Sequence, residues 1–162
     1  MVGKSLRFEV DFSEINTMLN ELPKAMSRTV IKNALKKTAK PLKKEAETKA
    51  PGKIRKSIII SDKRNGKKVR SKKAAYVFVG PTEPHAHLVE FGTGPRFHKS
   101  GKYVGKMPAF PFMRPAWDAS VGKMFEDLKT ELENELLKAV KRLRTRAEKG
   151  TLGKRAMEFL RR

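Results

Sequence analysis

Apolar and charged residues alternate along Leu6-Arg7-Phe8-Glu9-Val10-Asp11-Phe12, the pattern of a strand with one buried face. The period then changes. Ser13 suits the N-cap of a helix carrying Ile15, Met18, Leu19 and Leu22 at helical spacing, and Pro23 closes or offsets it. From Lys24 to about Lys49, Met26, Val30, Ala34, Leu35, Thr38, Leu42 and Ala46 fall along one stripe, which predicts an amphipathic helix. Pro41 removes a backbone donor inside that span, so a kink or break is expected near Thr38. Ala50-Pro51-Gly52 ends the helix, because a residue before proline is pushed towards extended geometry.

Ile54 and Ser57-Ile58-Ile59-Ile60-Ser61 then read as a strand, with Ala75-Tyr76-Val77-Phe78-Val79 as its hairpin partner. Asn65-Gly66 between them is a strong turn signal. Gly80 to Pro111 lacks helical periodicity and reads as a long, partly ordered loop, with a short apolar piece at Leu88-Val89 and a short strand near Tyr103-Val104. Loops beyond about 15 residues are uncommon unless functional, so this one is expected to be an interaction element. A last helix is predicted from near Pro115 to about Arg146, with Val121, Phe125, Leu128, Leu132, Leu136, Val140 and Leu143 on its buried stripe. Trp117, one turn before Val121, is expected inside the subunit. The fold class is α+β: an antiparallel sheet packed against a long N-terminal-half helix and a long C-terminal helix, with an extended loop. One domain over 1–149 and a short basic tail over 150–162 are expected, and no internal repeat is present.

Composition narrows the function. A chain of 162 residues buries about two-thirds of its unfolded surface and needs no staples. It has no cysteine, which leaves no disulfide or thiolate site and is compatible with synthesis in a reducing cytoplasm. No apolar run approaches the ~20 residues of a membrane span, and no signal-peptide segment opens the chain, so a soluble product without membrane contact is expected. The formal charge is +21, from 38 Lys and Arg against 17 Asp and Glu, which favours polyanions or acidic protein faces as neighbours. Much of it concentrates in Lys63, Arg64, Lys67, Lys68, Arg70, Lys72 and Lys73 at the hairpin tip. No aromatic residue is interleaved there, so any nucleic-acid contact would be electrostatic and independent of sequence.

No catalytic constellation emerges. His85, His87 and His98 lack a cysteine partner and read as loop or interface histidines rather than metal ligands. Glu90 as a general base would need a nucleophile and an oxyanion site, and neither is visible. The reading is therefore of a protein that is not an enzyme and takes no cofactor. Phe110, Phe112 and Trp117 either plug the core ahead of the last helix or present rigid anchors to a neighbouring subunit. Phe110, held extended by Pro108 and Pro111, is the better candidate for the outward role.

Three tracts in order, Ala50-Pro51 leading to Arg55-Lys56-Ser57-Ile58, then His87-Leu88-Val89-Glu90-Phe91-Gly92-Thr93, then Met107-Pro108-Ala109-Phe110-Pro111-Phe112-Met113-Arg114-Pro115-Ala116-Trp117, resemble the tail-completion, or head-tail joining, proteins of long-tailed double-stranded DNA phages, including minor tail protein Z-like members. The resemblance spans roughly Lys24 to Leu137, with Gly52-Lys53-Ile54 a shortened form of the family's first connection. It implies a structural subunit of a phage or prophage that forms a ring, hexameric or dodecameric, in the neck between head connector and tail tube, around the DNA path. The implied partners are head-closure and tail terminator or tail tube proteins, with non-specific contact to double-stranded DNA. The implied location is the virion, after assembly in the bacterial cytoplasm. Within it, Leu88, Val89, Glu90, Phe91, Phe110 and Phe112 are the candidate interface residues. For Phe91, a core position behind a local turn and a subunit contact both stay open. The alternative function is a small basic nucleic-acid-binding protein of another kind.

Overall fold

A computed structural model describes residues 13–64, 67–68, 75–151, 157 and 160. The expected strand at Leu6–Phe12, the Asn65-Gly66 turn, and Arg70, Lys72 and Lys73 lie outside the described residues. The helices are α1 (Ser13–Glu21), α2 (Lys24–Thr38), α3 (Lys40–Lys49), α4 (Gly52–Ser57), α5 (Ala86–Phe91) and α6 (Met113–Glu148). The strands are β1 (Ile58–Ser61), β2 (Lys63–Arg64), β3 (Lys67–Lys68), β4 (Phe78–Pro81), β5 (Arg96–Phe97) and β6 (Tyr103–Gly105). They pair as three antiparallel two-stranded ladders, β1 with β4, β2 with β3 and β5 with β6. The fold is α+β. Among the described residues no helix is long and apolar enough to cross a membrane.

The break expected near Thr38 falls at Ala39, and Pro41 sits in the first turn of α3, where its missing N–H costs nothing. Ile58–Ser61 is a strand as expected, and its partner is shifted towards Gly80 and Pro81: Ile58 lies opposite Pro81 and Ile60 opposite Val79, so that only Phe78 and Val79 of the expected run 75–79 are paired. The segment before that strand also differs from expectation. Gly52–Ser57, expected to lead into the strand as extended chain, is a helical turn entered through Gly52 at φ 46°, a conformation glycine adopts without steric cost. The physical reason is burial: the helical turn sends Ile54 and Ile58, four residues apart, into one core. The long loop is also more ordered than expected, since it contains α5 and the β5–β6 ladder.

Two compact units divide the chain. The central unit comprises Ala39–Val69 and Val77–Met124. Its core joins Leu42, Ala46 and Ala50 of α3 to Ile54, Ile58, Ala86, Phe112 and Ala116, with Val79, Val89, Met113 and Met124 packed around it. The terminal unit comprises Met1–Thr38, Arg70–Tyr76 and Phe125–Arg162. There Ile15, Ala34 and Leu132 form one cluster, and Leu22, Val30, Leu136, Ala139 and Leu143 another against which Leu160 packs.

Two aromatic expectations change. Phe112, a candidate interface residue, is only 1% exposed and is a core side chain; Trp117, expected inside, is 46% exposed. The buried line of the first turns of α6 runs through Phe112, Ala116 and Ser120, a four-residue repeat, and Trp117 stands about 100° off it. Small residues let the helix approach its neighbours closely, which a search for large apolar side chains overlooks.

In the terminal unit a buried carboxylate meets three polar partners. Glu135, 5% exposed, accepts from Asn33 Nδ2 at 3.1 Å and pairs with Lys37 Nζ at 2.8 Å and Lys138 Nζ at 3.3 Å. Lys37 also reaches Glu131 at 2.9 Å. Burial by itself raises the Glu135 pKa, but the hydrogen bonds from Lys37, Asn33 and Lys138 outweigh it and bring the value to about 2. Lys37 is correspondingly raised, first by Glu135 and then by Glu131.

Because the folded pKa of Glu135 lies below its ordinary 4.5, its contribution to stability is full above that value and is lost as pH falls towards about 2. In urea unfolding across that window, Glu135→Gln should show a flatter decline than the parent, with the gap between the two closing towards the acid end. Parallel declines would show that the carboxylate is not held as described. For the core, Phe112→Ala should cost about 3–5 kcal/mol, and Trp117→Ala about 1 kcal/mol or less, measured by the same unfolding.

Candidate functional site

The second and third tracts that carry the resemblance are bound to each other within the central unit. Helix α5 ends at Phe91, and Gly92 follows at φ 71°. A Cβ on Gly92 would lie 2.7 Å from the Met107 oxygen and 2.8 Å from the Ala109 nitrogen, so only glycine lets the two backbones approach this closely. On either side of that approach the chains exchange hydrogen bonds. Thr93 N donates to Met107 O at 2.9 Å, Met107 N donates to Thr93 Oγ1 at 3.0 Å, and Phe110 N donates to Val89 O at 2.8 Å.

Glu90 completes the strap. Its Oε2 accepts from Phe112 N at 2.8 Å and Met113 N at 3.0 Å, and its Oε1 from Arg114 N at 3.3 Å. The first N–H groups of a helix have no partner within it. In α6 the ladder begins with Ala116 N donating to Phe112 O, and Pro115 has no N–H to satisfy. One carboxylate from α5 therefore serves every free donor at the start of α6, and its charge meets the positive end of the helix dipole. The chemistry is that of a fastener; Glu90 is spent on backbone groups and has no substrate-facing role.

The strap holds aromatic side chains outward. Phe91 is 79% and Phe110 54% exposed, so Phe91 is not the core residue that a simple turn would make it. Leu88 is half-buried, and Val89 is half-buried against the core. Phe97 and Tyr103, both exposed, pair across β5 and β6 with ring centroids 5.5 Å apart and an interplanar angle of 57°. The histidines lie around this region without converging. His85 precedes α5, the His87 ring is 2.8 Å from Pro84 O, His98 lies at the β5–β6 turn, and all three are exposed.

The basic tip is a separate feature. Lys63 stands opposite Lys68, and Arg64 opposite Lys67.

Sequence reasoning missed the cap and the close approach at Gly92. A signal existed: Phe112 is not a capping residue and Pro115 marks the first turn of a helix, so the acceptor for its free donors had to come from elsewhere in the chain.

Residues 13–92 match the model of a family described as "Bacteriophage HK97-gp10, putative tail-component". This segment is similar to that tail-component family. The matched span takes in α1 to α5 and ends at Gly92, the glycine of the strap, so the proline-aromatic tract at 107–117 lies beyond it. Comparison with curated proteins and with solved structures gives no significant match.

The strap makes a graded prediction for unfolding in denaturant. Gly92→Ala introduces both a close backbone contact and a strained φ, and should cost about 1–3 kcal/mol. Gly94→Ala, where a Cβ meets nothing within 4 Å, should be nearly neutral. Glu90→Ala should cost about 1–2 kcal/mol through loss of the cap. Equal effects at Gly92 and Gly94 would show that the close approach is not tight.

Proposed function

We propose that this protein is a structural neck component of a phage or prophage, oligomerising as a ring that joins the head connector to the tail tube around the DNA path. The observation that carries the reading is the pair of exposed aromatics, Phe91 and Phe110, on a strap whose backbone is fixed by hydrogen bonds on both sides. Rigid aromatic anchors lose little freedom on docking and make efficient subunit contacts. The tail-component family of residues 13–92 supplies the biological setting. The neighbours in this reading are further copies of the chain and the head-closure and tail terminator or tail tube proteins, in the virion. Its work is mechanical, with no catalytic step.

The basic β2–β3 hairpin supports a contact with the phosphate backbone of the enclosed DNA, and also a second reading as a sequence-independent nucleic-acid binder. Oligomerisation separates the two. In the neck reading, Phe91→Ser and Phe110→Ser should each weaken assembly by about 2 kcal/mol, roughly thirtyfold, while thermal unfolding is nearly unchanged. Light scattering and complementation of infectious particles measure this. Unimpaired assembly in both variants would overturn the anchor role. For the hairpin, replacing Lys63, Lys67 and Lys68 by glutamine should reduce the salt slope of duplex binding by roughly one unit per lost phosphate contact.

A further inference from the structure

A groove of about 750 Å³ lies in the terminal unit between α2 and the C-terminal half of α6. Its apolar lining includes Met26, Val30 and Leu143, and its other wall carries cations of α6. Lys138, Arg142, Arg146 and Lys149 follow one another at three- and four-residue spacing, all exposed. Such a row runs along one side of a helix for about 16 Å, or three turns. Glu135 also lines the groove, but its charge is already met by Lys37 and Lys138.

We infer that this groove docks an acidic amphipathic helix of a different virion protein, apolar side inward and carboxylates along the cation row. Three observations select that occupant. The apolar lining gives a phosphate backbone nothing to bury, so the groove fits a side-chain ligand better than a duplex. The spacing of the cations matches carboxylates three and four residues apart on a partner helix, the helix-in-groove mode of recognition. Leu160, from beyond α6, already packs on the adjoining cluster of Leu22, Val30 and Leu143, so this face accepts an incoming apolar side chain. The inference does not depend on ring formation.

The test uses the full chain and a fluorescent helical peptide of about four turns, with leucines on one face and glutamates flanking them. Saturable binding is expected, weakened at least about tenfold by Arg142→Glu combined with Arg146→Glu. Both residues are exposed, and circular dichroism checks that the variant keeps its fold. A scrambled peptide of the same composition should bind at least about tenfold more weakly. No binding, equal binding of the scrambled peptide or of a short DNA duplex, or indifference to the double charge reversal would each overturn the proposal. Self-association of the protein that the peptide reverses, read by light scattering, would also overturn it, by assigning the groove to a second copy.

Discussion

A single carboxylate fixes where the longest helix begins. Glu90 binds the N–H groups of Phe112, Met113 and Arg114, and a helix start displaced by one residue would rotate every later side chain by about 100°. That rotation would carry Phe112, Ala116 and Ser120 out of the central core. A long helix amplifies an error at its origin, so the origin is the place where specificity is worth most. A cap borrowed from α5 also makes the helix start conditional on the strap being closed, which links local order at Gly92 to the register of residues far along the chain.

The acids of this chain are few and are used inside it. Glu90 is committed to the α6 start, and Glu131 and Glu135 to Lys37. The 38 basic residues outnumber the 17 acidic ones by more than two to one. The β2–β3 ladder even sets cations opposite one another. Such a surface repels itself and is relieved by an anionic neighbour. The charge excess therefore describes a surface that an anionic neighbour would stabilise.

What was legible in the sequence follows from how each signal is encoded. The break at Ala39 and the strand Ile58–Ser61, with Phe78 and Val79 in its partner, were readable because proline and β-branched runs act through nearest neighbours, whereas Gly80 and Pro81 carry no strand signal. The lower part of α6 was readable because Leu132, Leu136 and Leu143 are large and periodic. The upper part was misread because its buried line is made of Ala116 and Ser120, which carry no hydropathy signal, so Trp117 took their place in the expected stripe. Gly52–Ser57 was read as extended because its residues suit a strand, whereas joint burial of Ile54 and Ile58 selects a helical turn. The strap was hardest to see. Its bonds join residues more than ten positions apart, and neither Glu90 nor Gly92 announces its partner locally.

The strap also explains why two tracts separated by the β5–β6 ladder occur together. Leu88–Thr93 supplies the acceptors at Val89 and Glu90, the close-approach glycine and the threonine hydroxyl; Met107–Arg114 supplies the matching donors and the carbonyl. Neither half has a function without the other, so a change in one is felt in the other, which is the physical content of a paired motif. The consequence reaches the surface. Phe91 and Phe110 project from backbone that is already fixed, so docking either ring requires no ordering of the segment that carries it, and more of the contact energy remains for association. A free loop bearing the same aromatics would bury the same area and bind more weakly.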